Sequence, residues 1–402
     1  MLFQSGQLLS AAGTASTTIA YPLLVLALTH SPAKAGIVSF ARVIPYPLLS
    51  VLGGVLADRV NRKRLMIAMD VVRVAAIGTL VGAILVHEVG FWLIPLVAFV
   101  EGAASSVFAS AKAGALRAVV PPRQLPAAAA TESGRQAAVR LAGPPLGGAL
   151  YGVGRALPFV VDVASYAFST LALLGMRTPF QEEREPETAS LRAQIREGFA
   201  YLWAQPFLRT TALLFGIADF VFPGLTLALV VIGKRQGLSG GEIGALSAVF
   251  GAALLLGSFL SPLSRRAFSM RTILLVELWA WTGCALFLVW PSVYALAIGV
   301  VPQALAIPST DSVVHGYRMA ITPDRLISRV DGAARNVSLV ITPLGPLLVG
   351  LLLSSTSERA TIAVLAGCTV VLALWGTLSP SIRRAPSLAD LDELERPQPL
   401  TV

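Results

Sequence analysis

The sequence predicts an all-α polytopic membrane protein, with twelve transmembrane helices in two pseudo-symmetric six-helix bundles. Three observations predict it. Of 402 residues, 55% are hydrophobic and 13% charged, where a soluble domain carries about 25% charged residues. Apolar runs of about 20 residues, each long enough to cross a hydrocarbon core of about 30 Å, recur along the whole chain. Runs of that length exclude a membrane β-barrel, whose strands alternate in segments of about ten residues. Finally, the chain repeats itself near its half-length. Leu52-Gly53, Leu56 and Arg62 recur as Leu256-Gly257, Leu260 and Arg266, and Pro122, Leu125, Pro145 and Leu146 recur as Pro323, Leu326, Pro346 and Leu347.

The expected spans of the first half are 6–28, 34–57, 65–86, 91–113, 127–153 and 157–176. Lys34 sits between the first two, the dense turn Asp58 to Arg64 between the second and third, Arg117 and Arg123 before the fifth, and Arg155 before the sixth. The second half repeats the pattern at 207–231, 241–264, 270–290, 293–315, 330–354 and 359–379. There the punctuation is Lys234 and Arg235, then Arg265, Arg266 and Arg271, then Arg318, Arg325 and Arg329, then Arg359. The fifth and eleventh spans begin in polar sequence. Between the halves, Phe180 to Thr188 reads as solvated linker. After it, Leu191, Ile195, Phe199, Leu202 and Trp203 recur at helical spacing with Arg192, Arg196 and Glu197 between them, which predicts an amphipathic helix on the inner membrane surface, tethering the two bundles. The domains expected are a first bundle at 1–178, a cytoplasmic linker at 179–206, a second bundle at 207–380 and a disordered cytoplasmic tail at 381–402.

The net charge of +9 is a topology signal and not a nucleic-acid footprint. Twenty of the 31 Lys and Arg residues fall in loops on one side and five in loops on the other. The positive-inside rule then puts both termini in the cytoplasm and the chain in the inner (plasma) membrane. Cys284 and Cys368 each stand alone in an apolar run and read as small core residues, neither a disulfide nor metal ligands. The chain carries no zinc motif, nucleophile elbow, P-loop or dinucleotide fingerprint, so no cofactor, no metal and no enzyme activity are expected.

The turn Gly54-Val55-Leu56-Ala57-Asp58-Arg59-Val60-Asn61-Arg62-Lys63-Arg64 and the segment Gly143-Pro144-Pro145-Leu146-Gly147-Gly148 carry a family resemblance. The chain resembles the major facilitator superfamily, in the bacterial exporter-like branch of macrolide and siderophore efflux proteins. The turn matches every fixed place of the family's Gly-x-Leu-(Ala/Asp)-Asp-(Arg/Lys)-x-(Gly/Asn)-Arg-(Arg/Lys) signature. The second segment matches the Gly-Pro-x-x-Gly-Gly core of the antiporter signature. Asp70-Val71-Val72-Arg73 and Gly6-Gln7-Leu8-Leu9-Ser10 also look like this branch. One departure stands out: where relatives often place an arginine in the fourth span, four residues before Gly102, this chain has Ala98, with Glu101 beside the glycine.

The resemblance implies a secondary transporter working by alternating access: a proton-coupled exporter of drugs or bulky amphipathic secondary metabolites. The alternative is an importer or a lipid or siderophore translocator on the same fold. Gly54, Asp58, Arg59, Arg62, Asp70 and Arg73 form the expected gate, with Gly54 allowing close helix approach and Asp58 facing the start of the eleventh span, near Asp324 to Arg335. Arg59, Arg62 and Lys63 are expected to pair with acids or lipid phosphates. Gly143, Pro144, Gly147 and Gly148 predict a flattened, bent fifth span pressed on the other half.

Acids inside spans are costly and mark relays. Glu101 and Asp219 have no cation near them along the chain and, with Asp311 one turn from His315, are the proton-coupling candidates. Glu132 with Arg135, and Asp331 with Arg335, read as local structural pairs. Family analogy lines a mostly apolar cavity with Thr17, Tyr21, Phe108, Phe215 and Phe220, suited to an amphipathic or cationic small molecule. Protons and membrane lipids are the other expected partners, and the expected state is a monomer.

Overall fold

Each apolar run folds as helix in a computed structural model that describes residues 2–119, 125–176 and 191–385. The first half consists of α1 (Leu2–Thr29), α2 (Pro32–Val43), α3 (Pro45–Arg59), α4 (Arg62–Leu85), α5 (Leu93–Val119), α6 (Leu125–Val153) and α7 (Leu157–Gly175). A connecting helix α8 (Leu191–Ala204) follows. The second half consists of α9 (Pro206–Arg235), α10 (Gly240–Ala267), α11 (Met270–Ala280), α12 (Leu286–Val289), α13 (Val293–Gly299), α14 (Val301–Ile321), α15 (Ile327–Ile341), α16 (Leu344–Ser355), α17 (Glu358–Leu378) and the short α18 (Pro380–Arg383). Four predicted spans are therefore broken, among them the tenth at Val300, between α13 and α14. The second divides at Ile44, where Pro45, which lacks an N–H, opens the first turn of α3. The eleventh divides at Pro343, the N-cap of α16. The ninth passes through a 3₁₀ turn at Trp281–Ala285.

Among the described residues, ten helical stretches are long and apolar enough to cross a membrane. The second and fifth predicted spans are the two outside that set: the second is split into α2 and α3, and α6 is one continuous helix with polar sequence in its first half. Helix starts are capped where the sequence permits. Ser31, Asn61 and Ser269 each accept a backbone N–H from three residues on, satisfying one of the orphan donors of a first turn. The outer surface is apolar, with Trp92, Leu171, Phe259 and Val289 all more than 60% exposed. Such side chains are stable there only against lipid tails.

Packing groups the chain into two compact units: Met1–Glu185 with Pro223–Gly251 and Pro343–Glu358, and Pro186–Phe222 with Ala252–Thr342 and Arg359–Val402. In the first unit α1 lies against α2, α6 and α7, while α5 packs on α2, α3 and α4. In the second, α11 packs on α14 and α8 on α15. The linker segment Phe180–Thr188 and the tail from residue 386 lie outside the described residues.

Candidate functional site

The charged turn ties three helices of the first unit together. Asn61 caps α4 by accepting the Arg64 N–H at 3.1 Å. Arg62 Nε donates to the Ala57 carbonyl at 3.2 Å, near the end of α3. Lys63 Nζ donates to Met176 O at 2.5 Å and Leu174 O at 3.3 Å, at the end of α7. The last carbonyls of a helix lack internal partners and carry partial negative charge. Arg62 and Lys63 thus serve helix ends, while Arg59 is exposed. One correction concerns Gly54. A Cβ there would meet nothing within 4 Å, whereas one on Gly53 would come within 3.1 Å of Val107 Cα and 3.0 Å of Ser110 Oγ on α5. The close approach belongs to Gly53. The side chains of Asp58, Glu132, Arg135 and Asp324 lie outside the described residues. Lys63→Met is expected to cost about 0.3–1 kcal/mol, the usual worth of a cation at a helix C-terminus, read as a small drop in the melting temperature of the detergent-solubilised protein.

Above this turn lies a buried polar cluster. Glu101, 1% exposed, faces Arg42 of α2: Arg42 Nη2 is 2.9 Å from Glu101 Oε1, and the Tyr21 hydroxyl donates to Glu101 Oε2 at 2.8 Å. The expectation that Glu101 has no cation nearby is therefore corrected, because the cation comes from another helix. The same guanidinium nitrogen reaches Thr17 Oγ1 at 2.8 Å and Thr14 O at 2.9 Å. Thr17 Oγ1 in turn lies 3.4 Å from Asp162 Oδ2 on α7. A turn away on α4, Asp70 and Arg73 pair at 2.9 Å, both buried, with the Arg73 guanidinium between the rings of Phe108 (4.3 Å) and Tyr166 (4.5 Å). Thr17, Tyr21 and Phe108 are thus buried parts of this packing and not cavity walls. Sequence reasoning missed Arg42 and Asp162. The available signal was their rarity, since both are ionisable residues inside spans.

The Gly-Pro-x-x-Gly-Gly segment is likewise in the first unit. Helix α6 runs unbroken through Pro144 and Pro145. Gly143 and Gly147 sit against Ala15 and the Ser16 carbonyl of α1. Gly148 turns the other way, onto α10, where a Cβ would lie 3.0 Å from Gly244 Cα and closer still to the Gly240 carbonyl oxygen. Gly244 returns the contact, its Cβ position falling 2.6 Å from Pro144 O.

The second unit holds a cavity of about 310 Å³ lined by Phe215, Asp219, Asp311, His315, Arg318, Asp331 and Arg335, among others. Its wall carries more charge than the mostly apolar cavity expected. Arg318 pairs with Asp331 at 2.7 Å, while the local partner Arg335 stands 4.0 Å away. His315 Nδ1 is 3.6 Å from Asp331 of α15. Asp219 and Asp311 are exposed on this wall and not buried as expected. Phe220 is half-buried outside the lining. Beside the cavity, α8 docks on α15. Glu197 pairs with Arg325 at 2.9 Å and also with Arg329, and the Tyr201 hydroxyl donates to Ile321 O at 2.5 Å. Leu202 is buried in that contact, while Ile195 and Trp203 point outward.

Comparison with known proteins gives these geometries a context. The chain is similar to an uncharacterized MFS-type transporter, YfiS, of Bacillus subtilis (strain 168), 28% identical over 58% of this chain and 56% of that protein, so this match spans little more than half of the relative. It is 25% identical to the multidrug efflux pump Tap of Mycolicibacterium fortuitum over 95% of this chain and 96% of Tap. Its fold is similar to the crystal structure of the nucleoside transporter NupG, with a TM-score of 0.71, 13% identity, and 96% and 99% of the two chains covered. The family model of the Major Facilitator Superfamily matches residues 5–277. With that match across more than half its length, on a membrane fold that is helical throughout its described spans, the chain belongs to the Major Facilitator Superfamily, and it is a transporter of small molecules and not an enzyme.

Proposed function

We propose that the chain is a proton-coupled exporter of bulky amphipathic cations, in the plasma membrane with both termini cytoplasmic. The observation that carries this reading is the cavity of the second unit, where Asp219 and Asp311 stand on the same wall as Phe215, Leu208 and Val314. A wall that sets three carboxyls, two guanidiniums and an imidazole among apolar side chains suits a charged molecule that brings its own apolar surface. The full-length similarity to Tap, a multidrug efflux pump, points the same way. The gate assigned to Asp58, Arg59, Arg62, Asp70 and Arg73, and the bundle boundaries at residues 178 and 207, belong to this reading.

The test is accumulation of a fluorescent lipophilic cation in cells expressing the chain, with and without a protonophore. Export lowers accumulation, the protonophore abolishes the difference, and Asp219→Asn cuts it at least several-fold while leaving the protein in the membrane. Raised accumulation assigns the chain to import. No effect on any such dye, with the protein shown to be in the membrane, rejects the cationic class.

A further inference from the structure

We infer that Asp162 is a proton-binding site of the first unit, built so that Arg42 is shared between it and Glu101. The inference deepens the proton-coupled reading above and rests on it only for its role in transport.

Among the described residues, the groups facing one another here are Thr14, Thr17 and Tyr21 on α1, Arg42 on α2, Asp70 and Arg73 on α4, Glu101 on α5, and Asp162, Ser165 and Tyr166 on α7. They include three carboxyls and two guanidiniums. Two carboxyls have a direct ion pair: Glu101 with Arg42 and Asp70 with Arg73, each at 2.9 Å. Asp162, 0% exposed, is the third, and its contacts are hydroxyls. An isolated buried carboxylate is far too costly to stay ionised, so charge balance puts one proton on the cluster.

The hydrogen bonds say where that proton sits. A hydroxyl has one hydrogen to give. Ser165 Oγ lies 2.7 Å from the Asp162 carbonyl but 3.4 Å from Asp162 Oδ1. Thr17 Oγ1 lies 2.9 Å from Thr14 O but 3.4 Å from Asp162 Oδ2. Each hydroxyl hydrogen is directed mainly at the nearer carbonyl, so the Asp162 carboxyl accepts only two long contacts, at 3.4 Å. Thr17 Oγ1 also accepts from Arg42 Nη2 at 2.8 Å, which sets the guanidinium one hydroxyl away from Asp162. Glu101, by contrast, already receives one bond on each oxygen, from Arg42 and from Tyr21, as an ionised carboxylate does. Gly13 leaves room for the site: a Cβ there would lie 2.7 Å from Asp162 Oδ1.

Release follows from the same geometry. The proton leaves Asp162 for Glu101 when the cation moves from one to the other, and Arg42, whose side chain is 13% exposed, is the mobile edge of the cluster, one hydroxyl away. Moving the guanidinium from Glu101 toward Asp162 exchanges which carboxyl is ionised, with no change in electron count and one proton passed on.

The experiment is infrared spectroscopy of the purified protein at neutral pH, in H₂O and D₂O, unlabelled and with side-chain ¹³C-aspartate. The expected spectrum holds a protonated-carboxyl C=O band that shifts with the aspartate label and is lost in Asp162→Asn, which is isosteric with the neutral acid. Glu101→Gln frees Arg42 for Asp162, so it also loses the labelled band, and it reads the site independently if Asp162→Asn is not recovered from the membrane. Absence of the band in the wild type, or its survival in either variant, overturns the inference. A band that behaves as expected in a protein that exports nothing leaves the site standing and removes the coupled-export reading.

Discussion

Arg42→Leu is expected to lower stability by about 3–5 kcal/mol, the range for removing one partner of a buried ion pair. Nothing along the chain predicts so large an effect, since Arg42 is 59 positions from the carboxylate it serves. The cost comes from what is left behind: Glu101, 1% exposed, would keep only the Tyr21 hydroxyl at 2.8 Å, and the Thr14 carbonyl and Thr17 hydroxyl would lose their guanidinium donor. Arg42→Lys keeps the charge but not the fork that reaches Thr14, Thr17, Thr18 and Glu101 together, and falls between wild type and leucine. Glu101→Gln costs less than Arg42→Leu, because Arg42 still faces Thr14 and Thr17 and has Asp162 beyond them. The double variant Arg42→Leu with Glu101→Gln recovers a large part of the single loss, since it removes the uncompensated charge. Thermal unfolding of the four proteins in one detergent measures all of this. A cost below about 1 kcal/mol for Arg42→Leu, the level of an exposed pair, would show that water reaches the cluster freely and that its charges are not confined.

The contrast between fold and site follows from where each is encoded. Span number and order are legible because hydrocarbon thickness fixes the length of every apolar run, and each run is a local property of the chain. The breaks are legible in part: Pro45 and Pro343 announce them, yet a proline inside a span is also tolerated without a break, as Pro144 and Pro145 show in α6. The site is another matter. Asp70 with Arg73 is readable because the partners are three residues apart on one helix. Glu101 with Arg42, and Asp162 with Thr17, depend on which helix faces which, and periodicity along one span does not say. The same limit explains Asp219. Its position in the middle of an apolar run suggests burial, but it lies on a cavity wall. Gly54 and Gly53 are indistinguishable by type, and only the facing α5 separates them.

Gly148→Leu is expected to abolish transport while leaving the protein folded and in the membrane. Gly148 meets backbone and not side chain: the Gly240 carbonyl and Gly244 Cα stand where its Cβ would go, and backbone of a membrane helix has little room to yield. The contact joins the fifth span to the eighth, one from each half of the sequence repeat. A transporter that opens alternately must make and break such a contact on every cycle. A side chain there penalises only the state in which the two helices touch. Overpacking costs about 1–3 kcal/mol, which shifts the balance between states by roughly 5- to 150-fold. Cysteine at Gly241, with Cys284 and Cys368 replaced, reports that balance through its labelling by a membrane-impermeant maleimide. Labelling is expected to rise in Gly148→Leu and transport to fall with it, while Gly152→Leu, one turn on with nothing within 4 Å of its Cβ, changes neither. If Gly148→Leu labels and transports like the wild type, the contact between α6 and α10 is ordinary membrane packing and the Gly-Pro-x-x-Gly-Gly segment has no part in switching. Because the cost falls on one state and not on the fold, loss of transport with an unchanged melting temperature separates a switching contact from a structural one.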